Sequence, residues 1–227
     1  MQVNWRMKRN CLNFFLLLLS LLALCPPIVA QQPKTEAEIR KLIANSHSND
    51  LKTSDTAKQE LSKLDAKSLP ALVSILKKGN PCDQVAVAEY IIELDPKNPD
   101  IVPVMTKVTR GASVRMLFHL QEEAMCRRAA AYVLALSAEG IPVLTRLLKE
   151  GDSWERQTAI FALDDLTETS NYPEGSIPAM KELIPEIANA TKAKDRVLRE
   201  IADEVLGKIA RGSNAELSAL VKKYVVP

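Results

Sequence analysis

The sequence predicts an all-α protein assembled from repeated pairs of helices, and three observations carry that expectation. Ala, Leu, Ile, Lys and Glu dominate, while aromatics make up 4% of the chain and only seven residues are glycine. No stretch alternates Val, Ile, Thr and aromatic residues as a half-buried strand does, so the composition favours helices packed through small and aliphatic side chains. The third observation is self-similarity. Ser68-Leu69-Pro70-Ala71-Leu72, running on to Lys77-Lys78-Gly79, is echoed by Gly140-Ile141-Pro142-Val143-Leu144, running on to Lys149-Glu150-Gly151. Weaker copies surround Pro103 and Pro178, so the prolines at 70, 103, 142 and 178 are spaced by 33, 39 and 36 residues.

The N-terminus stands apart from this pattern. Met1 to Asn10 carry Arg6, Lys8 and Arg9 and no acid, and an apolar run of 13 residues follows, Leu12 to Leu24. A basic start, a short apolar stretch and the small residue Ala30 before Gln31-Gln32-Pro33 make up a signal-peptide pattern. A bilayer-spanning helix takes about 20 apolar residues, and Pro26-Pro27 break the run. Residues 1–30 are therefore expected to be a signal peptide cleaved after Ala30, with an uncleaved signal anchor as the alternative. Leu22-Ala23-Leu24-Cys25 resembles a lipobox, but Leu24 stands where a small residue is expected. The leader holds three of the 30 bases and none of the 28 acids, so residues 31–227 carry 27 against 28, a net of −1. That balance gives no electrostatic footprint for nucleic acid or an anionic membrane.

Each repeated unit reads as two helices. The first begins with its proline in the first turn, where the missing N–H has no intrahelical partner to lose. Gly79 and Gly151 stand where two of these helices stop. The second helix carries apolar residues on one face, as in Arg156-x-x-Ala159-x-x-Ala162-Leu163-x-x-Leu166. The pattern returns as Val87-x-x-Tyr90-Ile91-x-x-Leu94, Ala129-x-x-Tyr132-Val133-x-x-Leu136 and Arg199-x-x-Ala202-x-x-Val205-Leu206-x-x-Ile209. Asn80 and Asp152-Ser153 supply side-chain caps for second helices. The units fall near 68–95, 98–137, 140–167 and 175–212. A degenerate leading unit near 35–65 has a first helix from Thr35 to Ala44 and then Ala57-x-x-x-Leu61-x-x-Leu64. Extra residues interrupt the 98–137 unit around Gly111 to Leu120, and Asn171 to Gly175 form a longer loop. A short helix in 214–225 is expected to cap the last unit's apolar edge.

These residues resemble HEAT repeats over roughly 35–212. The resemblance implies a right-handed α-solenoid of four to five two-helix units in residues 31–227, armadillo-like in its helical stacking. It implies little about function, because such repeats serve many unrelated tasks.

A search for chemistry yields almost nothing. His47 and His119 are the only histidines, and neither has a second His or Cys at ligand spacing. His119-Leu120-Gln121-Glu122-Glu123 would need histidine at 123 to form a zinc motif and is expected to be a helix start. There is no Gly-x-Ser-x-Gly elbow and no glycine-rich phosphate loop. Asp164-Asp165 read as a solvated helix face. The sequon Asn189-Ala190-Thr191 lies within an expected helix. No catalytic residue, cofactor or metal is expected.

Of the four cysteines, Cys82 and Cys126 lie outside the leader, near the starts of adjacent second helices. Stacking brings them close and allows a disulfide. The register of the Ala129 copy, however, turns Cys126 toward the core and Cys82 away from it, leaving one buried and one exposed thiol as the alternative.

A partner is expected on the concave, second-helix face. Ala159, Leu163 and Leu166 define the core direction, so Trp154 and Phe161, seven residues apart, share the opposite side. The same stripe carries Arg127 and Arg128 in the 98–137 unit and Glu89 and Glu93 in the 68–95 unit. Packing of the two aromatics against a neighbouring unit is the alternative. The expected function is a non-catalytic protein-binding or scaffolding module exported to a bacterial periplasm, envelope or lumen, or secreted. Two other classes compete. HEAT-like repeats occur in bilin lyases, which hold a tetrapyrrole, but the leader, the few aromatics and the two histidines weigh against one here. The other is an accessory subunit of a larger envelope assembly.

Overall fold

The computed structural model of the protein describes residues 33–111, 120–169 and 172–224. The expected leader, His119 and the extra residues 112–119 lie outside the described residues. The protein is all-α. Among the described residues eleven α-helices and no strand occur. They are α1 (Glu36–Ser46), α2 (Leu51–Leu61), α3 (Leu69–Lys78), α4 (Pro81–Leu94), α5 (Ile101–Arg110), α6 (Leu120–Ala135), α7 (Ile141–Glu150), α8 (Ser153–Thr169), α9 (Ile177–Ala190), α10 (Arg196–Arg211) and α11 (Ala215–Val221). A 3₁₀ turn, Ala66–Ser68, leads into α3.

Two ways of starting a helix recur along the chain. α3, α7 and α9 carry Pro70, Pro142 and Pro178 in their first turns, and no side chain caps them. Proline has no N–H to leave unsatisfied there and its φ already suits the helix. α2, α4, α8, α10 and α11 start instead on Asx residues. Asp50, Asn80, Asp195 and Asn214 accept from the third backbone N–H of their helices, and Asp152 accepts from Glu155 N at 2.8 Å. Each such cap stabilises its helix by about 1 kcal/mol.

A second device recurs at the ends of four helices. The last carbonyls of a helix lack intrahelical donors, and here the following helix supplies one. Ser54 Oγ donates to Ser46 O (2.7 Å), Gln84 Nε2 to Leu76 O (2.9 Å), Arg156 Nε to Leu148 O (3.0 Å) and Ser218 Oγ to Ala210 O (2.6 Å), always eight residues back. In α10 the donor is Arg199, which reaches Ala193 O at 2.7 Å. These residues fix how far each helix sits along its predecessor.

One continuous apolar core runs through the helices. α3, α5, α7 and α9 bury Ile, Leu and Met, whereas the second helices bury alanines, Ala88, Ala130, Ala131, Ala159 and Ala202, among larger neighbours. Small residues let helix axes approach closely. α4, α6, α8 and α10 accordingly pack in series, each on the next, while α1 meets α3, α7 meets α9 and α9 meets α11. α2 departs from the series. It packs on α1 and makes no comparable contact with α4. It also ends at Leu61, so Leu64 of the expected leading pattern lies beyond the helix.

Candidate functional site

The helix-end donors provide an alignment of the second helices that apolar spacing alone does not. Gln84, Arg156 and Arg199 occupy one position in α4, α8 and α10. Arg127 occupies it in α6. Its side chain is only 8% exposed and lies over the end of α5, where a Cβ added to Gly111 would sit 3.7 Å from its Nε and Nη2. The expected placement of Arg127 on the open stripe is therefore corrected. Pairing Ala130, rather than Ala129, with Ala159 restores the alignment, and one residue of shift turns every α6 side chain by about 100°.

The aromatic pair divides. Phe161 is half-buried, with the Arg128 guanidinium 4.4 Å from its ring centroid. The same guanidinium donates to Asp165 at 3.0 and 3.2 Å. Phe161 is thus part of the seam between α6 and α8, not an open anchor. Trp154, one residue into α8, is 44% exposed. Asp164 and Asp165, expected to be merely solvated, are ion-paired. Lys208 of α10 reaches Asp164 at 2.7 Å, Glu168 at 3.1 Å and Glu204 at 3.2 Å. Burial alone lowers the Lys208 pKa, but these carboxylates together raise it above the ordinary lysine value.

The alignment also reveals a row that the sequence reading missed. Two residues before each helix-end donor stand Cys82, Met125, Trp154 and Val197. The last three are 66, 44 and 43% exposed, and they are three of the five large hydrophobic residues most exposed among the described ones. They lie at equivalent positions on α6, α8 and α10, which pack consecutively. The signal in the sequence was an apolar residue two before Arg127, Arg156 and Arg199.

Cys82 is joined to Cys126 by a disulfide, with Cα atoms 5.2 Å apart. Both cysteines are half-buried, so the expected placement of the two on opposite faces is corrected by the same one-residue shift. The bridge covalently ties α4 to α6. It also lines a groove of about 890 Å³ between α1, α2, α4 and α6, walled by Ile43, Leu61, Val85, Tyr90 and Met125. Glu89 opens onto this groove. Glu89 is exposed to solvent, but partial desolvation beside the groove raises its carboxyl pKa, and Glu93 one turn on raises it further by like charge. Burial and these two acids also raise the Tyr90 hydroxyl. Phe161 and Arg128 therefore lie at the α6–α8 seam, Trp154 is exposed near the start of α8, and Glu89 lies apart from them on the groove, with Glu93 one turn beyond it.

Compared with known proteins, the chain matches no family model and no curated sequence. Among the described residues no group of three or more His, Cys, Asp and Glu is placed to hold a metal ion, and no helix is long and apolar enough to cross a membrane.

Proposed function

We propose that the protein is an exported, non-catalytic protein-binding module whose helix pairs form a right-handed solenoid of HEAT-like repeats. The observation that carries the binding reading is the row Met125, Trp154 and Val197. Singly exposed apolar residues are ordinary, but a contiguous set marks an interaction surface. Here three stand at one position of three consecutively packed helices. A tryptophan at the centre of such a row has the character of an interface anchor. The serial packing of α4, α6, α8 and α10 and the recurring eight-residue hydrogen bond support the repeat reading. Export rests on the basic, apolar leader of residues 1–30.

The test is crosslinking capture by the tagged protein in the envelope fraction of its host, beside a Trp154→Ala/Val197→Ser variant. The expected result is a protein captured by the parent and lost from the variant while helical content and melting temperature are kept. Equal capture by both removes this face from the proposal.

A further inference from the structure

The groove beside α4 differs from every other junction in the second-helix series. α4 and α6, α6 and α8, and α8 and α10 pack directly, but α2 does not close on α4. The space left between them is about 890 Å³. The opening thus stands where the series lacks a helix-on-helix contact.

Its walls specify what fits. The floor is apolar, made by Ile43, Leu61, Val85, Tyr90 and the Cys82–Cys126 bridge, with Met125 exposed at the rim. Charge is divided between the sides. Asp83 is neutralised by Arg40 at 2.7 Å. Glu89 on α4, with Glu93 a turn away, forms no ion pair among the described residues, and neither does Lys58 on α2. The α4 side therefore presents Glu89 and the α2 side Lys58, with an apolar floor between them.

We propose that this groove seats an amphipathic helical segment of a partner protein, with its apolar stripe on the floor, Lys or Arg along the flank facing Glu89, and an acid along the flank facing Lys58. The inference takes the protein-binding reading as its premise but uses a different surface, sharing only Met125 with the exposed row. Helix-in-groove recognition of this kind takes its affinity from the apolar anchors and its orientation from the flanking charges.

The experiment uses a displayed library of 14-residue peptides with a fixed leucine stripe at helical spacing and both flanks randomised among Lys, Glu, Gln and Ser. It is sorted against the protein, Ala44→Trp, Glu89→Gln and Trp154→Ala/Val197→Ser. Ala44 is an exposed residue on the groove rim, so the indole obstructs the groove without entering the core; an unchanged melting temperature verifies this. The expected outcome is recovery of peptides with Lys on one flank and Glu on the other. They should bind Ala44→Trp at least tenfold more weakly, lose the Lys preference on Glu89→Gln and bind the Trp154 variant unchanged. Recovery without a flank preference, undiminished binding to Ala44→Trp, or no enrichment overturns the proposal. Peptides lost only on the Trp154 variant also overturn it, while assigning binding to the exposed row and so supporting the preceding section's reading. Host capture that fails on the Trp154 variant test leaves the groove result independent.

Discussion

The two sides of α4 have opposite characters. Toward α6 the helix is closed down, with Ala88 and Ala131 fully buried and Cys82 bridged to Cys126. Toward α2 it stands open, and half-buried Ala86 and Tyr90 line a groove in place of a seam. The difference follows from what each neighbour offers. α6 brings a run of alanines, which permits close approach, together with a covalent tie. α2 has eleven residues, of which only Ser54, Ala57 and Leu61 are buried; Ser54 bonds back to α1, and Leu61 also lines the groove. A short helix with three buried positions has little apolar surface left with which to cover α4.

Breaking the closed side should have the largest effect. The disulfide spans 44 residues, and closing a loop of that length in the unfolded chain is worth about 4 kcal/mol in the chain-entropy account. Cys82→Ser/Cys126→Ser is expected to lower the urea midpoint accordingly without changing far-UV helicity. A loss under 1 kcal/mol means that alanine packing alone holds α4 to α6.

Matched enlargements sharpen the contrast, because the sign should change. Ala131→Leu forces three carbon atoms into a fully buried position and is expected to destabilise by about 1–3 kcal/mol. Ala86→Leu extends into the groove and is expected to stabilise by about 1 kcal/mol, as cavity filling does. Equal losses at both positions indicate that α2 closes on α4 in solution.

A smaller difference separates adjacent arginines of α6. Arg127 is buried at the end of α5, so Arg127→Ala is expected to cost about 2 kcal/mol through lost packing and exposed helix-end groups. Arg128 lies outside, over Phe161 and beside Asp165. Its replacement by alanine is expected to cost about 1 kcal/mol or less, and less still at high salt. Urea titrations of both variants with and without 0.5 M salt, roughly a 4 Å screening length, test this order.

The same two arginines show how far the sequence reaches. The all-α class was legible because prolines, helix-stop glycines and aliphatic spacing are local signals, and Pro70, Pro142 and Pro178 do stand in first turns. The α6 register was not, because Ala129-Ala130-Ala131 fits an apolar face in either of two alignments. The discriminating fact is the reach of Arg127 to the end of α5, a tertiary contact. That single residue of shift moved Arg127 off the expected site and obscured both the cysteine geometry and the row through Met125, Trp154 and Val197. The groove had an even fainter signal. It arises from a contact that α2 does not make, and only the poor match of the leading copy hints at it.

The smallest expected effect concerns Glu89 and depends on pH. Its folded-state pKa is raised, by burial first and by Glu93 second, so the folded protein holds this proton more tightly than the unfolded chain does. Protons bound in excess by the folded state mean that stability falls as pH rises. The penalty is absent below the ordinary carboxylate value, where Glu89 is protonated in both states. It grows through the window between that value and the raised one and is fully present above it. Glu89→Gln carries no such charge, so its melting temperature relative to the parent should rise across the same window and level off toward neutral pH. Solvent reaches the side chain, which keeps the shift to a degree or two. A difference that rises in this way would mark a carboxylate held at a cost beside the groove, which contact with a base from outside would relieve. A flat difference from pH 3.5 to 7 removes that argument and leaves Glu89 an ordinary surface carboxylate.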